Sequence, residues 1–167
     1  DLLVITQDTN KLINQDNYEI LLVSESSFSK NLPKSLTYQA ILKESKVILN
    51  SELINKYKDK KYKPNLRENL REIINVLKIN KDAVETCKIH RMNVPDGIVY
   101  SIVLRLKELY LIKCLLSNKT YLKKDFLRFV GEKVYLAYLR VKKDYKELNA
   151  INANELEYLL ELSEKWL

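Results

Sequence analysis

Two glycines in 167 residues, Gly97 and Gly131, constrain this chain more than any other feature of it. Loops that cradle phosphate need glycine so that the backbone can reach positive φ and approach the ligand closely. Neither a P-loop nor a dinucleotide-binding fingerprint can therefore be built. HExxH and the nucleophile elbow are absent as well. With only three prolines, Pro33, Pro64 and Pro95, and abundant Lys, Ile, Asn and Glu, the composition is that of a helix-rich protein.

The hydrophobic pattern divides the chain. Leu2 to Thr6 and Glu19 to Ser24 are short apolar runs that predict two strands joined by the polar stretch Gln7 to Asn17. Leu32-Pro33 opens a helix through Lys43, with the proline in its first turn, and Val47 to Leu49 reads as a third short strand. Ser51 is an N-cap for a helix reaching Tyr57. The lysine-rich stretch from Lys56 to Lys63 ends at Pro64 and marks a boundary between an N-terminal segment, 1–60, and a helical domain, 65–167.

Beyond it Leu66, Leu70, Ile73, Ile74 and Leu77 recur at helical spacing, and the period continues towards Ile89 as one long helix or two. Pro95-Asp96 begins a helix whose stripe, Ile98, Ile102, Leu106, Leu109, Ile112 and Leu116, is widened by Val99, Val103 and Leu115. So broad an apolar arc predicts the centre of a bundle. Lys123 to Val130, stopped near Gly131, then Val134 to Leu148 and Asn154 to Leu167, complete the expected helices. The fold class is thus α+β, a small mixed sheet followed by an all-α helical bundle.

A hydrophobic content of 46% is enough for a buried core without staples. Cys87 and Cys114 lie far apart and form no C-x-x-C pair, which predicts core thiols and a reducing, cytoplasmic setting. The apolar stretch Ile98 to Leu116 is interrupted by Arg105, Lys107, Glu108 and Lys113, so no membrane span is expected. Asp1 to Ile5 lack the basic and long apolar regions of a signal peptide. A net charge of +7 favours anionic partners such as nucleotide phosphate or nucleic acid.

Asp1 and Glu19 open the two predicted strands. If those strands are neighbours, the two carboxylates converge on a divalent cation such as Mg²⁺, which bridges nucleotide phosphates; otherwise they are solvated strand ends. Arg105 shares a helical face with apolar residues and needs a partner, either a carboxylate of the bundle or a phosphate. Six tyrosines, Tyr100, Tyr110, Tyr121, Tyr135, Tyr138 and Tyr145, lie among Lys and Arg, either as a stacking surface for nucleotide or RNA or as half-buried rings with wet hydroxyls. Arg105, Tyr138 and Lys142 are the candidates for holding nucleotide or phosphate. The single histidine, His90, beside Arg91, reads as a surface or capping residue.

Asp1-Leu2-Leu3-Val4-Ile5 resembles the end of the D-x-D-leucine-leucine-valine strand of nucleotidyltransferases in the DNA polymerase β superfamily. Leu36 to Leu49 resembles the helix, turn and strand that close the family's small sheet. Val103 to Leu116, Tyr121 to Phe126 and Tyr135 to Lys143 resemble the helical domain of kanamycin-nucleotidyltransferase-like and HEPN proteins, as in archaeal minimal nucleotidyltransferases. The resemblance implies transfer of a nucleoside monophosphate from a nucleoside triphosphate onto an acceptor it does not name. Asp1 and Glu19 would match the second and third carboxylates of the Mg²⁺ site. The family's glycine-serine turn and first aspartate are expected either upstream of Asp1 in the native protein or lost with the activity. The resemblance also implies an alternative, a catalytically silent scaffold that binds nucleotide or nucleic acid or pairs as a homodimer. HEPN ribonucleases place a histidine a few residues after an arginine; Tyr110 stands there after Arg105, so ribonuclease chemistry is not expected.

Overall fold

The computed structural model describes residues 2–15, 18–60 and 66–167. The chain is α+β, a three-stranded mixed sheet followed by helices, and it divides into two compact units, Asp1–Asn65 and Leu66–Leu167.

In the first unit β1 (Leu2–Thr6), β2 (Lys11–Gln15) and β3 (Tyr18–Ser24) lie in the order β1-β3-β2. The central strand carries the longest apolar run, Ile20 to Val23. It pairs in parallel with β1, Leu2 opposite Ile20, and antiparallel with β2, Leu12 opposite Leu21. Parallel strands need a crossover of about a dozen residues. Here the crossover contains a strand rather than a helix, so the stretch expected to be only a connection holds β2. The short link from β1 to β2 is pinned where it passes the end of β3. Thr6 Oγ1 donates to the Thr9 carbonyl (2.8 Å), and the Ser24 N–H donates to Asn10 Oδ1 (3.0 Å). Buried Ser24 then caps α1 (Glu25–Asn31), its hydroxyl accepting from the Ser27 N–H.

Period-two alternation puts Leu3, Ile5, Leu21 and Val23 on one sheet face. They pack with Phe28 and Leu32, with Leu42 of α2 (Leu36–Glu44), and with Leu53, Ile54 and Tyr57 of α3 (Ser51–Lys58). Phe28 meets the Tyr57 ring edge-on at 5.3 Å between centroids.

Four expectations are corrected here. Helix α1 has only Phe28 as a buried apolar residue among ESSFSKN, so no periodic stripe announces it. Pro33 lies in a turn, and α2 starts at Leu36 with Ser35 accepting from the Tyr38 N–H. Val47 to Leu49 form no strand; Ile48 and Leu49 are exposed, and the sheet offers them no partner. The cap of α3 is Asn50, not Ser51, and it sits in the left-handed region (φ 52°) that asparagine tolerates.

In the second unit α4 (Leu66–Ile89) is one unbroken helix, burying Ile73, Leu77, Asn80, Val84 and Cys87 along a single stripe. The next helix, α5 (Asp96–Leu116), packs against α4, α6 (Lys123–Val130), α7 (Glu132–Lys142) and α8 (Ala153–Trp166). Being surrounded explains its burial on several sides, at Val99, Ile102, Val103, Leu106, Leu109 and Ile112. Gly131 (φ 79°) breaks α6 from α7, a backbone conformation that L side chains rarely adopt. The helix expected to reach Leu148 ends at Lys142, and residues 145–150 are extended or irregular. Asn152 and Glu155 close α8 with a reciprocal capping box. Cys87 and Cys114 are buried and are not joined in a disulfide. Among the described residues no helix is long and apolar enough to cross a membrane.

Candidate functional site

The strands proposed to carry the carboxylate pair are neighbours and parallel, so their starts share one sheet edge. Asp1 itself lies outside the described residues. Glu19 is the second residue of β3, half-buried, opposite Asn14 and on the sheet face that also carries Leu21 and Val23. Among the described residues no group of three or more His, Cys, Asp or Glu comes together that could hold a metal ion.

The three bundle candidates do not form one site. Arg105 Nη1 binds Glu108 Oε2 (2.7 Å) and lies 3.4 Å from Glu72 Oε1, so its charge is held between α4 and α5, while its buried Nε has no hydrogen-bond partner. Burial pushes the Glu108 carboxyl above its ordinary range despite the opposing Arg105 charge. Tyr138 is on the other flank of α5, its ring stacked on Tyr100 (5.2 Å) and on Tyr135 (5.4 Å). Lys142 follows one turn later on α7, with its side chain exposed.

Between Tyr138 and Lys142 lies a residue that the sequence pattern did not single out. Arg140 forks onto fully buried Asp96, Nε to Oδ2 at 2.7 Å and Nη2 to Oδ1 at 3.0 Å. Asp96 Oδ2 also accepts from the Leu148 N–H, and the Asp96 N–H donates to Asn149 Oδ1. Nearby, the Val94 N–H donates to the Ile151 carbonyl. These bonds fasten the segment after α7 to the start of α5. The available signal was the Pro-Asp pair opening a helix, but its partner lies 44 residues away and nothing local marks it.

The chain's charge is unevenly placed. Residues 107–146 hold eleven Lys and Arg against four Asp and Glu, a formal +7 that equals the surplus of the whole chain. Everything else balances, 18 basic against 18 acidic. The charged segment is the end of α5, then α6, α7 and the turn after it. Because Tyr138 and Arg140 meet Tyr100 and Asp96, α7 runs antiparallel to α5, and over its length of about 17 Å it carries the charged segment back along the bundle. Lys123, Lys124, Lys142 and Lys143 are exposed along it. Within the segment Arg140 is paired with Asp96, Lys133 with Glu155 and Arg128 with Asp125, and the α4–α8 side pairs Lys81 with Glu164 and Lys88 with Glu157.

Beneath the strip the aromatic rings pack on one another. Tyr110 contacts Tyr121, Phe126, Phe129 and Trp166 at centroid distances of 5.5 to 5.9 Å. Lys113 and Lys123 lie over the Trp166 and Tyr135 rings. Burial, reinforced by the neighbouring Tyr135 and Tyr138, raises the Tyr121 phenol far above its ordinary range. Most ring faces are thus spent on packing, and Tyr145 is the ring left well exposed in this segment. The arrangement offers a rigid cationic surface on an aromatic base, suited to phosphate contacts more than to base readout.

No family model, curated protein or solved structure matches this chain.

Proposed function

We propose that the helical unit binds single-stranded nucleic acid along the α6–α7 side through its phosphates. The observation that carries this reading is the confinement of the entire +7 surplus to residues 107–146. A polyanion gains by releasing counterions wherever lysines replace them, whatever its sequence. The packed aromatic base keeps the lysine-bearing helices fixed, and exposed Tyr145 is placed to stack on a base.

Anisotropy of a labelled single-stranded RNA across a KCl series tests it. If Lys123, Lys124, Lys142 and Lys143 each meet one phosphate, log K falls against log salt with a slope of about −3. Lys123→Ala/Lys124→Ala should flatten the slope to about −1.4, and Lys30→Ala/Lys34→Ala in the first unit should leave it alone. Equal slopes in wild type and the Lys123/Lys124 variant defeat the proposal.

The parallel adjacency of β1 and β3 supports a second reading, a nucleotidyltransferase whose Mg²⁺ is held by Asp1 and Glu19. When bound, Mg²⁺ would neutralise the triphosphate so that an acceptor can displace pyrophosphate. The protein's own part would be to orient the phosphates at the shared start of the two strands, with the core packing of Leu3, Ile5, Leu21 and Val23 holding that edge. Calorimetry with nucleoside triphosphate and Mg²⁺ on wild type, Asp1→Asn and Glu19→Gln tests it, and unchanged binding in both variants removes it.

A further inference from the structure

At the opposite end of the same strands the first unit has an open cleft of about 460 Å³. Gln7, which follows β1, and Glu25, which follows β3, bring it to the carboxyl ends of two parallel strands, where open α/β sheets place their ligands. Its other walls come from α1 and α3, and it lies wholly within the first unit.

The lining is chemically divided. Lys56 and Lys60 are four residues apart, one at the end of α3 and one just beyond it, so both ammonium groups come from the same wall. Ser26 and Ser29 are three apart on α1 and face the cleft together. The buried Tyr57 forms the floor. Its hydroxyl donates to Glu25 Oε1 (3.0 Å), and the Lys60 ammonium sits 5.9 Å from its ring. Tyr57 thereby fixes the Glu25 carboxylate, which keeps acceptor capacity towards the cleft.

A bare anion would meet two cations and also a fixed negative charge. A molecule with a phosphate at one end and hydroxyls at the other satisfies both, the phosphate on Lys56, Lys60 and the serine hydroxyls, a ligand hydroxyl donating to Glu25. The volume falls within the range of small-molecule sites. We infer that this cleft binds a small sugar-phosphate-class molecule, through groups distinct from both the basic strip and the start of the strands.

Amide-shift titration of the whole ¹⁵N-labelled chain at low ionic strength, with ribose 5-phosphate, ribose and inorganic phosphate as probes, decides it. The expected result is saturable shifts at Ser26, Ser29, Lys56 and Lys60 with ribose 5-phosphate, at least five-fold tighter than with inorganic phosphate. Lys56→Ala/Lys60→Ala alters two exposed side chains, so the fold should hold, and it should weaken binding about ten-fold or more. Ser26→Ala/Ser29→Ala should weaken it several-fold with the charge intact, while Lys123→Ala/Lys124→Ala should leave it unchanged. Shifts confined to residues 107–146, equal affinity for inorganic phosphate and ribose 5-phosphate, or undiminished binding in the Lys56/Lys60 variant would each overturn the inference.

Discussion

Replacing Asp96 by alanine should be among the most damaging single changes in the helical unit, and its cost can be worked from the contacts. The carboxylate is fully buried, takes both prongs of Arg140 and accepts the Leu148 N–H. Removing one partner of a buried pair costs about 3–5 kcal/mol. The Arg140 side chain keeps 17% of its surface in water, so the lower end, about 3 kcal/mol, applies. Loss of the acceptor for the Leu148 N–H adds about 1 kcal/mol. A total near 4 kcal/mol is a large part of the roughly 5–15 kcal/mol that holds a domain folded.

Trp166 is the only tryptophan and stands against Tyr110 and Phe129, so its fluorescence in urea reports on this unit alone. Asp96→Ala/Arg140→Met should recover part of the loss, because the orphaned guanidinium is then gone. The pH dependence has a definite sign. Burial pushes the Asp96 carboxyl up, but the Arg140 hydrogen bonds together with the Leu148 N–H outweigh it and hold it below the ordinary range. A folded-state value below the unfolded one means that the pair's stabilisation is present above about pH 4 and is lost as pH falls through the folded value. The gap between wild type and Asp96→Ala should therefore narrow in acid. A loss under about 1 kcal/mol at pH 7, or a double variant as unstable as the two single losses added, refutes the reasoning.

Leu109, 1% exposed at the centre of α5, should cost about 2–5 kcal/mol when cut to alanine, read by the same Trp166 melts; a loss of a few tenths would place that face in solvent. The Tyr121 phenol should stay protonated well past the range where ordinary tyrosines ionise, until alkali unfolds the bundle, which absorbance at phenolate wavelengths follows directly. Purified chain should leave RNA uncut, because Arg105 is held by Glu108 and Glu72 and Tyr110 stands where the ribonuclease histidine would fall. Metal-independent cleavage that vanishes in Arg105→Ala would contradict this.

The bundle was legible because its long helices repeat apolar residues every three or four positions: α5 was placed at the centre from Ile98 to Leu116, and the structure packs four helices around it, although Leu116 at the end of that stripe and Ile74 of α4 are exposed. The first unit was less so. Helix α1 rests on one aromatic anchor and a serine cap, and β2 alternates too few apolar residues to stand out from a polar connection. Val47 to Leu49 had the right residue types for a strand and no neighbour to pair with, which only the sheet topology reveals. For the candidate sites, residue types were visible and meeting points were not. Arg105 did need a partner, and the bundle supplied Glu108 and Glu72. Arg140 and Asp96 are separated by 44 residues, and Ser26 and Lys56 by thirty, so their pairings are written in the fold rather than in any local spacing.

In the helical unit, stability and charge are carried by different residues of the same helix. On α7, Val134, Ala137 and Tyr138 face the core and Arg140 is committed to Asp96, while Lys142 projects into water. Arginine suits the buried role because its planar fork matches a carboxylate with two bonds; a lysine there would offer a single point charge. Lys123, Lys124 and Lys143 are exposed and exchangeable at little cost to the fold. This separation makes the proposed phosphate contacts testable in variants whose melts stay at wild type. It also ties the position of the lysines to the anchor: with the Asp96 carboxylate removed, the C-terminal end of α7 loses its side-chain tie to α5, which loosens Lys142 and Lys143 relative to Lys123 and Lys124. Asp96→Asn keeps an acceptor for the Leu148 N–H but weakens the fork. At temperatures where that variant is still folded, its RNA affinity should fall more than any change in net charge explains, since the substitution makes the chain more positive. Tighter binding, as added charge alone predicts, would show that the strip works without the anchor.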